Sequence, residues 1–362
     1  MEPSSEIPQL ALLGCGIFAR DAYIPILKDL KDHLFLRFIW SRSEVSATKL
    51  LAKVHEFAPQ AQAEWGEDGM ERILSSPHVH CCAVVLPILS QPKIVAKVLQ
   101  SGKHVLQEKP IAATLYGGIV ALRTFAELNV QKSQSPIWAV AENFRFEPAF
   151  VEAQEMIKEL GTMLFVQVDI EVAMNSGNKY FHSEWRPNLP GAFITDCGVH
   201  YVAALRTMLG ARNIVSVTGI ATHRDQSVPP PDTLTTLLTL DNGCSGTMMI
   251  SFSSPNNKST WRVVCSKGTV EVERGFYDNK LGYTVKLIPF EGKSSLKFIP
   301  VQGLQEELKA FAKDILNRRI QSEHKPDFRS SPSEALHDLS IVENALLSDG
   351  EASCCEPPII RF

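Results

Sequence analysis

A short apolar run, Leu10 to Leu13, leads directly into Gly14-Cys15-Gly16-Ile17-Phe18-Ala19, and helical spacing follows through Ala22 to Leu30. A strand, a glycine turn and a helix in immediate succession form the opening unit of a nucleotide-binding sheet. Gly14 permits the tight turn, Gly16 lets backbone N–H groups approach a pyrophosphate, and the small Ala19 lets helix and strand pack closely. The helix N-terminus then faces the phosphates with its partial positive charge. Gly14, Gly16, Ile17, Phe18 and Ala19 are therefore expected to line a dinucleotide site. The competing reading is a glycine turn that serves packing alone.

The rest of the first ~145 residues repeats the alternation. Apolar runs at Phe35 to Trp40, Cys82 to Leu86, His104 to Gln107 and Trp138 to Glu142 read as buried strands. Between them lie helical patterns at 46–57, 70–74, 92–101 and 115–128. This predicts a parallel sheet covered on both faces. After Arg145 the pattern changes. A helix is predicted over 147–160, a half-exposed strand over 164–173, a loop of some 17 residues to Pro190, and a helix over 191–209. Loops that long are usually functional or mobile. From 213 to about 300 the chain is mostly β, with a hairpin signal at Asp241-Asn242-Gly243, and two helices (304–319 and 332–347) close it. The fold class expected is α/β: a dinucleotide-binding domain over 1–145 and an α+β domain over 146–362, whose largely antiparallel sheet leaves one face open. The 362 residues suffice for two cores. An open sheet face needs covering, so a homodimer through it is expected.

A net charge of −4 and the lack of a basic block or zinc-finger spacing give no case for nucleic acid. No apolar run approaches the roughly 20 residues of a membrane span. Residues 1–8 lack the marks of a secretory or transit peptide, and 357–362 match no lipidation or peroxisomal signal. Eight cysteines without a C-x-x-C pair read as free thiols of a reducing compartment. A cytoplasmic location is the expectation.

Cofactor choice is read where the second strand ends, Ile39-Trp40-Ser41-Arg42-Ser43. A carboxylate there would hold the ribose hydroxyls of NAD; here a hydroxyl and a guanidinium suit a 2′-phosphate. NADP(H) is thus favoured over NAD(H), with Ser41 and Arg42 at the phosphate. Arg42 could instead be solvated or stack on adenine. Lys109, in Glu108-Lys109-Pro110, falls at the C-terminal end of a buried strand, where such sheets place ligands. It can exchange a proton with a substrate oxygen if burial or a nearby cation lowers its pKa; otherwise it is a surface lysine paired with Glu108. Asp196 and His200 are four apart, so one helix face presents both. His200 suits acid/base work near neutrality, and Asp196 can orient it or hold a substrate hydroxyl. Two ligands on one helix with no third nearby make no metal site. Cys197 between them would be oxidisable if exposed.

Gly14-x-Gly16-x-x-Ala19, Glu108-Lys109-Pro110, Asn143-x-Arg145-Phe146 and Asp196-x-Gly198-x-His200 resemble, in order and spacing, the Gfo/Idh/MocA oxidoreductase family. The segments 86–92, Trp185-Arg186 and 198–206 look most like its fungal and plant NADP-dependent members. The resemblance implies an N-terminal Rossmann domain, a C-terminal α+β domain often used for dimerisation, and hydride transfer between nicotinamide and a sugar, polyol or related carbon. It implies Lys109 as acid/base, Asp196 and His200 as substrate-binding and proton-transfer residues, and places Leu86, Pro87, Glu108, Asn143, Arg145, Trp185 and Arg186 at the cofactor or substrate cleft. Two departures stand out. Ala203 replaces an Asp that many members carry three residues after the histidine. Leu86-Pro87-Ile88-Leu89-Ser90-Gln91 replaces the usual Thr-Pro-x-x-x-His, making the wall more apolar. A non-catalytic dinucleotide sensor and a reductase of a non-sugar carbonyl or imine are the alternatives. Retention of Lys109, Asp196 and His200 together speaks against the sensor.

Overall fold

The computed structural model describes residues 7–130 and 135–355. Residues 1–6, 131–134 and 356–362 lie outside the described residues, and with them the sequence readings of the N-terminal segment, of the linker at 133–136 in part, and of the C-terminal signal.

The first half is a six-stranded sheet in the order β3-β2-β1-β4-β5-β6, parallel throughout. Its strands are β1 (Gln9–Leu13), β2 (Phe35–Ser41), β3 (Gln62–Trp65), β4 (Cys81–Val84), β5 (His104–Glu108) and β6 (Trp138–Ala141). Helices α1 (Ile24–Asp29), α2 (Glu44–Val54), α3 (Gly66–Ser75), α4 (Gln91–Gln100) and α5 (Leu115–Val130) connect them. The central strands β1, β4 and β5 are buried along nearly their whole length, as a parallel sheet covered on both faces requires. The order reverses between β1 and β4, which opens a crevice at their C-terminal ends. The turn after β1 faces it. There Gly14 has φ +131°, and a Cβ on it would sit 2.0 Å from the Val85 carbonyl oxygen, so no side chain fits. The helical chain begins with a π-turn over Ala19–Tyr23 before α1.

The second half holds α6 (Pro148–Lys158), β7 (Met163–Ala173), α7 (Ala192–Leu209), β8 (Ile214–Thr222), β9 (Thr233–Leu240), β10 (Ser245–Ser251), β11 (Ser253–Cys265), β12 (Gly268–Tyr277), β13 (Lys280–Pro289), β14 (Ser295–Pro300), α8 (Gly303–Ile320), α9 (Pro332–Leu347) and β15 (Ser353–Cys354). The sheet order is β14-β13-β12-β11-β7-β10-β9-β8-β15. Every neighbouring pair is antiparallel except β7 with β10. The expected hairpin at 241–243 joins β9 to β10, with Gly243 at φ +81°. α6, α7 and α9 cover one face. On the other, Phe165 and Leu237 are exposed, following the period-2 alternation of β7 and β9.

One helix departs from a division at 145/146. Leu308, Phe311, Ala312 and Ile315 of α8 share a core with Leu10, Leu12, Tyr23 and Ile39, so 303–320 returns to cover the first sheet. α9 bridges in the same sense by packing on α5 and α7. Its Asp338 and Glu334 hold the buried Arg145 and Arg206, clamping the turn after β6 to the C-terminal half of α7.

Candidate functional site

The crevice is a cavity of about 340 Å³. The glycine turn (Gly16, Ile17, Phe18, Ala19) lines one side. The loop after β4 (Leu86, Pro87, Ile88) and the end of β5 (Glu108, Lys109) form the back. The long loop after β7 (Lys179, Tyr180, His182, Ser183, Trp185, Arg186) and the first turns of α7 (Phe193, Asp196, Cys197, His200) close it. The loop flagged by length alone thus belongs to the site. Its Lys179 Nζ donates to Asp21 Oδ2 at 2.9 Å, tying it to the π-turn across the cleft.

Lys109 is mostly buried and reaches α7 rather than its neighbour Glu108. Its ammonium donates to the Asp196 backbone oxygen at 2.7 Å and to Asp196 Oδ1 at 2.9 Å. The other carboxylate oxygen accepts Arg186 Nε–H at 2.7 Å. Arg186 in turn packs its guanidinium on the rings of Trp185 and Phe193, 4.6 and 4.7 Å from their centroids, and donates to the Tyr180 backbone oxygen. Burial pushes the Asp196 carboxyl up, but Lys109 and Arg186 overcome it and hold it at about 2. Burial opposes the Lys109 charge, yet Asp196 leaves its pKa above the ordinary lysine value. The sequence reading required a lowered pKa for a lysine base; the site does the reverse, because the nearest partner is an anion.

His200 is not oriented by Asp196. Its Nδ1 lies 2.6 Å from Oε1 of Glu142, and its ring stacks on Phe144, 4.7 Å between centroids with the planes 22° apart. Burial holds the imidazole pKa down, with Glu142 acting in the opposite direction. The four-residue spacing put Asp196 and His200 into one cavity, but each is paired with a residue from the first half of the chain.

The remaining expected positions divide. Glu108 borders the cavity, but its Oε1 accepts the Tyr23 hydroxyl at 2.7 Å, and burial lifts its carboxyl to about 7. It anchors the π-turn to β5. Trp185 lines the cavity, and Arg186 is engaged with Asp196. Asn143 is half-buried in a short 3-10 turn over Asn143–Phe146 and does not line the cavity. Arg145 is sequestered by Asp338 instead of facing the cleft. Ser41 ends β2 and Arg42 follows it, beside the glycine turn, since Gly14 N–H donates to the Trp40 oxygen, but outside the cavity. Arg42 is exposed and has no ion pair among the described residues. Cys197 is partly exposed, and burial and then Asp196 push its thiol up to about 12. It is a poor nucleophile there.

The turn is open on its cavity side. A Cβ on Gly16 would meet no atom within 4 Å, so this glycine leaves space toward the cavity instead of serving a packing contact, while the fully buried Ala19 packs beneath. No cluster of metal-ligating side chains occurs among the described residues.

Two family descriptions match: "Oxidoreductase family, NAD-binding Rossmann fold" over residues 9–135 and "GFO/IDH/MocA C-terminal domain" over residues 150–271. Dehydrogenase FPY6 of Fusarium mangiferae is 31% identical, the alignment covering 95% of this chain and 96% of that protein. Among solved structures, an oxidoreductase of Thermotoga maritima superposes with a TM-score of 0.81 at 27% identity, covering 96% of this chain and 98% of that one. A 3-ketoreductase of Actinomadura kijaniata, in complex with NADP and TDP-benzene, superposes with a TM-score of 0.74 at 18% identity over 93% and 96% of the two chains.

Proposed function

The chain belongs to the Gfo/Idh/MocA family of oxidoreductases, and from that premise we propose that it is an NADP(H)-dependent enzyme transferring hydride between nicotinamide and a carbonyl or hydroxylated carbon of a sugar, polyol or related small molecule. The observation that carries this reading is the convergence of Lys109, Asp196 and His200 from two halves of the chain in one cavity with the glycine turn. A protein that only sensed dinucleotide would not need the three together. When bound, the nicotinamide supplies the hydride acceptor or donor. The turn at Gly16, with Ala19 packed beneath it, would carry the pyrophosphate. Arg42, exposed and without an ion pair among the described residues, and Ser41 would meet the 2′-phosphate. The Lys109 ammonium, held by Asp196, would donate to the substrate oxygen and stabilise charge on it. The Leu86–Pro87–Ile88 wall would exclude water from the reacting carbon, and it also favours a carbonyl substrate with an apolar arm.

The test is NADPH oxidation and NADP reduction by the purified protein over a panel of sugars, polyols, small aldehydes and dicarbonyls. Turnover supports the reading. Tight NADPH binding without turnover on any of them would favour a cofactor-sensing protein.

We further propose that the exposed face of the second sheet, with Phe165 and Leu237, joins two copies of the chain. Leu237→Lys should then shift the protein from dimer to monomer in light scattering; a wild-type monomer would reject the proposal. A cytoplasmic location belongs to the same reading. No helix among the described residues is long and apolar enough to cross a membrane, and the cysteines are free thiols.

A further inference from the structure

Two groups in the cleft could exchange a proton with a substrate oxygen, and their surroundings differ. Lys109 spends two of its three donors on Asp196, which keeps it a cation with one donor to offer. His200 is bound by one ring nitrogen to a carboxylate and stacked on Phe144, which fixes both its plane and its rotation.

Glu142 is the unexpected member. It follows the apolar strand Trp138–Ala141 directly and is 1% exposed. Its Oε1 meets His200 and also accepts the Phe144 backbone N–H at 3.3 Å. Its Oε2 is buried with no hydrogen-bond partner among the described residues. A buried carboxylate with one oxygen unsatisfied is costly to keep, and its short contact to His200 is the strongest compensation within reach. A carboxylate on Nδ1 selects the Nδ1–H tautomer and stabilises the imidazolium that forms when Nε2 takes a proton.

We infer that Glu142 is the positioning residue that holds His200 with Nδ1–H toward itself and a bare Nε2 toward the cavity, so that His200 exchanges the substrate proton while Lys109 only polarises the substrate oxygen. The inference rests on the hydride-transfer reading of the cleft. In the oxidation direction the alcohol O–H would break to His200 Nε2 while a bound oxidised nicotinamide would supply the acceptor for the carbon's hydride and its electron pair, and the carbonyl bond would form. In reduction the same proton returns to the oxygen. The groups facing His200 are Glu142 from the end of β6, Lys109 from the end of β5 and Asp196 from its own helix. Of these, Glu142 contributes most to raising its pKa, so loss of that carboxylate takes the pKa lower still.

The deciding experiment is ¹⁵N-histidine NMR of the cofactor-free protein, with the His200 signals identified by their loss in His200→Asn. Wild type should show a protonated Nδ1 and a bare Nε2 at neutral pH. Glu142→Gln should mix the tautomers and move the titration to lower pH, and Glu142→Asp should restore part of the wild-type pattern. An unchanged His200 tautomer and titration in Glu142→Gln overturns the inference, whatever the activity. With a substrate from the panel, Glu142→Gln should lower the hydride-transfer rate on the order of 10²-fold with KM little changed, and the His200 limb of the pH profile should follow the NMR shift. A limb that stays in place while the NMR titration moves also overturns it. Lack of turnover by wild type on every compound counts against the hydride-transfer reading instead, and the tautomer result is independent of it.

Discussion

Lys109 and Asp196 meet at two points, the lysine ammonium touching both the backbone oxygen and the carboxylate of a residue 87 positions away. Through Asp196 the ammonium is linked to Arg186, so one buried anion lies between two cations. Asp196→Asn leaves both cations facing a neutral group and should cost on the order of 3–5 kcal/mol of stability at pH 7, measured by urea unfolding. The Asp196 carboxyl is depressed, so its contribution is present above the ordinary value of 3.8 and is lost as pH falls toward about 2. The gap between wild type and Asp196→Asn should therefore begin to narrow only below pH 3.8, by up to about 2.5 kcal/mol. A gap that closes at pH 5 to 6 would show that Asp196 is not held as described.

Gly14 and Gly16 should separate under substitution. Gly14→Ala places a Cβ against the Val85 carbonyl at positive φ and should destabilise the fold by about 2–3 kcal/mol. Gly16→Ala meets no protein atom within 4 Å. It should leave thermal stability within about 0.5 kcal/mol and weaken NADPH roughly tenfold, or about 1.4 kcal/mol, by intruding on the pyrophosphate. Equal affinity in Gly16→Ala would move the pyrophosphate elsewhere.

Arg42→Ala tests the cofactor assignment. A charge-assisted contact to a 2′-phosphate contributes about 1.5–3 kcal/mol, so NADPH should bind roughly 10- to 100-fold more weakly. NADH, which lacks that phosphate, should change little. An unchanged NADPH-to-NADH affinity ratio would reject Arg42 as the phosphate ligand.

Much of this was legible in the sequence because the signals are local. The glycine turn, the unbroken apolar strands and the four-residue spacing of Asp196 and His200 each lie within a short window. β3 escaped because Gln62–Trp65 is a four-residue, half-exposed edge strand without an apolar run. Glu142 escaped for a different reason. One carboxylate after an apolar strand carries no local signal, and its partner His200 is 58 residues away. α8 reads as an ordinary closing helix, and only the folded chain shows that its apolar side chains complete the first core. Arg145 fitted a motif but is claimed by Asp338, 193 residues on.

Glu307 of α8 is a buried carboxylate with both oxygens unpartnered among the described residues. Burial, then Glu108, Glu142 and Glu147, hold its pKa well above the usual carboxylate range. Glu108 and Glu147 are both lifted to about 7, chiefly by burial. For raised carboxyls the favourable contribution is full below the ordinary value of 4.5 and is lost as pH rises through the folded value. Stability should thus fall from pH 4.5 through 7 on account of this cluster. Glu307→Met should raise the melting temperature, by about 1–3 kcal/mol in stability, with a larger gain at pH 8 than at pH 5. A loss of stability at pH 8 would show that Glu307 has a satisfying partner.

The most direct test of the central claim pairs wild type with Lys109→Ala in the NADPH-coupled substrate panel and in an NADPH titration. The account predicts turnover on at least one carbonyl or alcohol in wild type, a loss of roughly 10² or more in Lys109→Ala, and NADPH affinity conserved within about threefold, since Lys109 is anchored on α7 and not on the glycine turn. Undiminished turnover in Lys109→Ala, or a matching collapse of NADPH binding, would contradict it.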